Sequence, residues 1–217
     1  MTEGTPAGEV NDILEPGTRA TRGSGFLEPF LAHRRYVMAQ SLIPSEYRKG
    51  CIVDIGCGTR PLFLAGSGFV NKIGLDKDFS SDTVSLFSSD NFRLIKHDLE
   101  KDAELPLEGY CCNAVTMLAV IEHLNAWQLP SLFAEVFRIL KPGGICIVTT
   151  PAPWTDGLLG IMSKLNLVSS TEIHEHKGLY DRGRILEMLM AAGFPRDGLR
   201  SGYFELGLNI WTSAMRS

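Results

Sequence analysis

The sequence has no apolar run near the roughly 18 residues that a membrane-crossing helix requires, so no membrane span is expected. It also lacks the charged-then-apolar opening of a signal peptide. Residues 1–25, MTEGTPAGEVNDILEPGTRATRGSG, are polar and read as a flexible lead-in. None of the five cysteines (Cys51, Cys57, Cys111, Cys112 and Cys146) falls in a Cys-x-x-Cys pair, and their number is odd. That pattern fits a reducing, cytoplasmic setting. Positive charge is not in excess: the formal net charge is −4, which weighs against bulk attraction to nucleic acid. Arg34, Arg35, Arg48 and Lys49 lie close in sequence and read best as the solvent face of a helix and its exit loop. Neither an internal repeat nor a low-complexity tract occurs. What remains is 217 residues, 44% of them hydrophobic, enough for one domain with a full core.

The periodicity predicts a helix over 26–43, where Phe30, Leu31, Tyr36, Val37 and Leu42 recur at near-helical intervals and Pro44 stops it. CIVDI (51–55), NKIGLD (71–76), FRLIK (92–96), NAVTML (113–118) and ICIVTT (145–150) read as strands. A short helix is expected within 80–90. A second, longer one over 131–140 ends at Lys141-Pro142-Gly143-Gly144. Asp181 is placed to cap a helix through Ile185, Leu186, Leu189 and Met190, with Gly193 as its terminal glycine. The final stretch reads as two strands meeting near Glu205–Gly207. Strands alternating with helices imply a mostly parallel sheet with helices on both faces.

In such sheets ligands sit at the carboxyl ends of the strands. Asp54, Gly56 and Gly58 follow the first strand, Asp76 ends the second and Asp98 follows the third. A dinucleotide fingerprint would need a third glycine where Pro61 stands, and a P-loop would need Gly-Lys-Ser/Thr. A nucleoside with an amino-acid tail and no phosphate fits better. The glycines let the backbone approach it. Asp76 can accept from both ribose hydroxyls and Asp98 from an adenine amine. Asp54 can face an ammonium or sulfonium, or order the loop.

VDIGCGTR, LDKD, HDL, LAVIEHL and LKPGG occur in the order and spacing of class I S-adenosylmethionine-dependent methyltransferases, which the sequence resembles over roughly 26–217. It is most similar to the small-molecule branch with a Glu-His-Leu loop after strand four, and EHKGLYDRGRILEMLMAAGF also resembles that branch. The resemblance implies a Rossmann-like α/β fold. Its sheet would have seven mostly parallel strands, helices on both faces and an antiparallel edge hairpin. It implies S-adenosylmethionine as cofactor, held by Asp54, Gly56, Cys57, Gly58, Asp76, Lys77, Asp98, Leu99, Ala119 and Glu122. Arg60 departs from the family, which often has a third small residue there.

The implied activity is methyl transfer to a small-molecule, lipid or glycan acceptor, with oligomeric state left open. The alternatives are a regulatory protein that binds the cofactor without turnover and, less well supported, an NAD(P)-dependent oxidoreductase. His123, His174 and His176 are the catalytic candidates, against the plainer readings of a structural histidine and a solvated loop. His-x-His lacks a third ligand at suitable spacing, so no metal is expected. The Asn-Pro-Pro-aromatic loop used on DNA bases is absent, so nucleic acid is not the expected acceptor. Residues 151–170 are apolar and longer than an ordinary connection, and the segment reads either as part of a substrate-side insertion over 151–180 or as a core helix.

Overall fold

A computed structural model of the chain describes residues 28–155, 178 and 180–217. The lead-in 1–25 and most of the expected 151–180 insertion lie outside the described residues. In chain order the elements are α1 (Glu28–Leu42), β1 (Cys51–Ile55), α2 (Leu62–Gly66), β2 (Asn71–Asp76), α3 (Ser81–Phe87) and β3 (Phe92–Lys96). Then come β4 (Cys112–Leu118), α4 (Leu129–Ile139), β5 (Leu140–Pro151), α5 (Arg182–Ala191), β6 (Leu199–Phe204) and β7 (Asn209–Met215).

The seven strands form one sheet in the order β3-β2-β1-β4-β5-β7-β6. The first five are parallel, and β7 runs antiparallel between β5 and β6. Strand residues alternate between faces. Val53, Ile55, Val115, Met117 and Val148 therefore pack with Phe133 and Val136 of α4 and Ile185 and Leu189 of α5. Ile52, Ala114, Ile145 and Ile147 pack on the other face with Ala39 and Ile43 of the α1 region and Phe63 and Leu64 of α2. This double burial explains why the central strands read as continuous apolar runs.

The largest departure from expectation is at β5, which begins at Leu140 rather than Ile145. Its pairing with β4 jumps from Cys112–Leu140 to Ala114–Ile145, so Lys141–Gly144 forms a bulge inside the strand. Arg216 explains the early end of α4. Its guanidinium donates to the carbonyls of Phe137, Arg138 (3.2 Å) and Leu140 (2.6 Å), and it lies between the rings of Tyr110 and Phe137. A cation on a helix's last carbonyls satisfies them and complements the helix dipole.

The capping expectation at α5 holds, since the Asp181 carboxylate accepts from the Arg184 N–H at 2.8 Å. The hairpin between β6 and β7 turns through Glu205, Leu206 and Gly207, all with positive φ.

Candidate functional site

The strand order reverses at the β1/β4 boundary: from β1 the chain builds outward through β2 and β3, then returns to β4 and continues through β5. The crevice beyond the carboxyl ends of the strands at such a boundary is the favoured ligand site of an open α/β sheet. Asp54, Gly56, Cys57 and Gly58 come to it from β1, Asp76 and Lys77 from β2, Asp98 and Leu99 from β3, and Ala119, Glu122 and His123 from β4.

The glycine turn is tied to β2. The N–H groups of Gly56 (2.8 Å) and Cys57 (3.2 Å) donate to the Leu75 carbonyl, and the Gly58 N–H donates to Asp76 Oδ2 at 2.9 Å. Gly56 and Gly58 have φ of 71° and 76°, in the left-handed region that suits glycine. Space also constrains Gly56: a Cβ there would come within 2.5 Å of Val120 Cγ2. Its bareness therefore serves packing against the β4 loop as well as ligand approach. The Cys57 side chain is buried against Gly74.

Asp76 is only 3% exposed, and its other oxygen, Oδ1, accepts from the Asp78 N–H at 3.3 Å. A carboxylate oxygen can accept two hydrogen bonds. That capacity is what a pair of ribose hydroxyls requires, so these residues fit an adenosyl group.

Asp54 is equally buried and accepts a 2.6 Å hydrogen bond from Thr116 Oγ1. Burial pushes its carboxyl up to about 7; the Thr116 hydroxyl opposes the shift, and neighbouring Asp76 adds to it. Asp98 takes the Glu100 N–H (3.1 Å) and pairs with Lys101 (2.9 Å), and the Lys101 hydrogen bond chiefly holds its carboxyl below the usual range. Its carbonyl also accepts from the N–H groups of Lys101 and Asp102, so it heads a turn.

Ala119 has φ of 58° and donates its N–H to the Thr149 carbonyl. A left-handed alanine is a strained backbone, and such strain gathers at functional sites. Glu122 is buried and accepts from Thr150 Oγ1 at 3.1 Å. His123 closes a short turn with its N–H on the Val120 carbonyl. Gly178 N–H reaches the Glu122 carbonyl and the Tyr180 hydroxyl donates to the Leu124 carbonyl, stitching the approach to α5 onto this loop. His174 and His176 lie outside the described residues. Lys77 is exposed and pairs with Glu100 at 3.8 Å.

Several supporting residues escaped the sequence reading. Gln128 is buried and donates to the carbonyls of Leu99 (3.0 Å) and Glu100 (3.2 Å), fixing the loop after β3. Thr83 donates to the Thr59 carbonyl at 2.8 Å, pinning the glycine turn to α3. Val120 walls Gly56. Thr116 alone carried a signal, as the polar residue inside the otherwise apolar AVTML. The helix after the turn has five residues and starts behind Pro61, too short to present the N-terminus that holds a pyrophosphate.

A family model described as "Methyltransferase domain" matches residues 30–195. A probable S-adenosylmethionine-dependent methyltransferase of Mycolicibacterium smegmatis is 37% identical over 83 residues, 35% of this chain and 32% of that protein. The match thus spans about a third of that relative's length. The fold is similar to that of an S-adenosylmethionine-dependent methyltransferase from Mesorhizobium loti, with TM-score 0.62, 18% identity, and coverage of 86% of this chain and 100% of the other. It is also similar to magnesium protoporphyrin IX methyltransferase from Synechocystis PCC 6803 with bound SAH, with TM-score 0.64, 15% identity, and coverage of 96% and 93%.

Proposed function

This chain belongs to the methyltransferase-domain family, and we propose that it transfers a methyl group from S-adenosylmethionine to a small-molecule, lipid or glycan acceptor. The observation that carries the reading is buried Asp76 locked to the Gly58 N–H, which sets an acid and a bare turn side by side at the switch of strand order. When bound, the cofactor supplies an electrophilic methyl on a sulfonium.

The protein's part is positioning. Asp76 accepts from the ribose hydroxyls, while Asp98 and Leu99 border the adenine. Ala119 and Glu122 border the sulfonium and amino-acid tail, and Cys57 and Lys77 flank the turn. Asp54, whose carboxyl burial raises to about 7, shifts toward the carboxylate as an ammonium arrives, since a nearby positive charge favours that form. Aligning acceptor and methyl in this way can supply about 7–11 kcal/mol of the barrier. An alcohol acceptor would also need a base. His123, on the loop after β4, is the described candidate for that role, with His174 and His176 as the others.

The apolar character of 151–170 supports an acceptor with an apolar portion. The five unbridged cysteines support a reducing compartment. Among the described residues no helix is long and apolar enough to cross a membrane.

Calorimetry tests the reading. We expect S-adenosylhomocysteine to bind and NAD not to, with Asp76→Ala weakening binding by about 100-fold, the value of two lost hydrogen bonds to a charged group. Unchanged affinity in that variant would sink the ribose assignment. Release of S-adenosylhomocysteine over an acceptor panel then separates turnover from simple binding.

A further inference from the structure

We propose that the cleft at the amino ends of β1–β5, opposite the methyl-transfer crevice, is a second binding site for a small phosphorylated molecule. The cleft encloses about 510 Å³, within the size range of small-ligand sites. The length of β1 separates it from the glycine turn by roughly 15 Å, and the inference rests on no assumption about methyl transfer.

Its walls carry four cations: Lys49, Lys72, Arg93 and Lys141. Asp90 is the only acid among the lining residues. Among the described residues, none of the four cations forms an ion pair. This is a concentrated positive field in a chain of net charge −4. The four cations come from separate segments that the sheet alone brings together. Lys141 is there because the bulge in β5 leaves it at the strand's amino end.

Lys72 shows the cost of the arrangement. Its ammonium sits 5.8 Å from the centre of the Phe92 ring, and partial burial lowers its pKa with no carboxylate to compensate. An anion in the cleft would remove that penalty.

The charge and shape select the ligand class. Four cations against one carboxylate exceed what a monocarboxylate neutralises and suit a phosphate ester or pyrophosphate. Arg93 offers a planar fork for its oxygens. Asn71 and Asn91 add amide donors at the rim. No aromatic side chain lines the cleft, so it lacks the stacking platforms of single-stranded nucleic-acid sites.

Cys111 lies in the same wall and supplies a reporter. Hydrogen bonding with Cys112 lowers its thiol to about 7, and nearby Arg138 and Lys141 act in the same direction. A thiol lowered in this way is alkylated more readily than an ordinary one.

The test is calorimetric titration of the full chain with inorganic pyrophosphate at low salt. It is paired with iodoacetamide alkylation of Cys111 read by peptide mass spectrometry. Saturable one-to-one binding is expected, with protection of Cys111 at saturation. Lys72→Met and Arg93→Met should each weaken binding by about tenfold, the value of one charge-assisted contact. Arg184→Met, at an exposed position on α5, should bind as the wild type does. Arg93 is exposed, so its variant keeps the test open if the Lys72 variant fails to fold. The proposal is overturned if the cleft variants bind as tightly as the wild type, if Arg184→Met weakens binding equally, or if Cys111 reacts at the same rate with and without pyrophosphate. Tighter binding of a single-stranded oligonucleotide than of pyrophosphate would also overturn it, in favour of a nucleic-acid surface.

Discussion

The two ends of the sheet are built from the same strands yet gather opposite charges. At the carboxyl ends Asp54, Asp76 and Glu122 are buried, each held by a hydroxyl or an N–H, and Asp98 stands beside them. At the amino ends Lys49, Lys72, Arg93 and Lys141 surround a cleft with a single acid. In the first arrangement each buried acid is held by a hydrogen bond from another segment, Thr116 to Asp54, Gly58 to Asp76 and Thr150 to Glu122; in the second, among the described residues, the cations form no ion pair. Acids at the carboxyl ends are fixed by hydrogen bonds across the sheet, whereas cations at the amino ends are left to the field of their neighbours.

The sharpest way to break this contrast is at Asp54. Its folded-state pKa of about 7 lies above the ordinary value of 3.8, so the folded protein holds a proton that the unfolded chain releases. That contribution is full below pH 3.8 and is lost as pH rises through 7. Relative to Asp54→Asn, wild-type stability should fall by about 3 kcal/mol between roughly pH 5 and 8, read from urea midpoints. A parallel pH profile in the two proteins would show that the carboxyl end does not hold its acid neutral.

Gly56→Ala comes next. The new Cβ meets Val120 and the residue keeps a positive φ, so a loss of about 1–3 kcal/mol is expected. Adding Val120→Ala should restore part of it, since only the clash is relieved. Full restoration would show that backbone conformation contributes nothing.

The smallest effect compares one residue type near the two ends of β2. Lys77→Met, following the carboxyl end, loses only a half-exposed pair with Glu100 and should change stability by no more than about 0.5 kcal/mol. Lys72→Met removes a partly desolvated ammonium and should leave stability unchanged or raised. Equal losses in both would erase the difference between the ends.

The same contrast governs what could be read without coordinates. The acids at the carboxyl ends were legible because each follows a strand that announces itself by an apolar run, as VDIGCG and LDKD do. Basic residues read as a group from sequence proximity, by contrast, separate in the fold. Arg34 reaches Glu205 at the β6–β7 turn, Arg48 bonds Gln40 and the Ser67 carbonyl, and Lys49 alone enters the cleft. The end of α4 was legible to within one residue, but Arg216, which holds its last carbonyls, lies more than seventy residues away and left no local sign. Gln128 gave no sign of its role, since an amide bonding to backbone carbonyls leaves no periodic trace.

The position of β7 has a consequence for synthesis. Although β7 follows β6 in the chain, it is not an edge; it fills the gap between β5 and β6. Until Asn209–Met215 leaves the ribosome, β6 has no partner and the apolar flank of β5 stays open to any passing strand. The nascent protein therefore carries an unpaired β5 flank until β7 is available. Slowed translation of Asn209–Met215 should increase the need for chaperones more than the same delay placed upstream of β5.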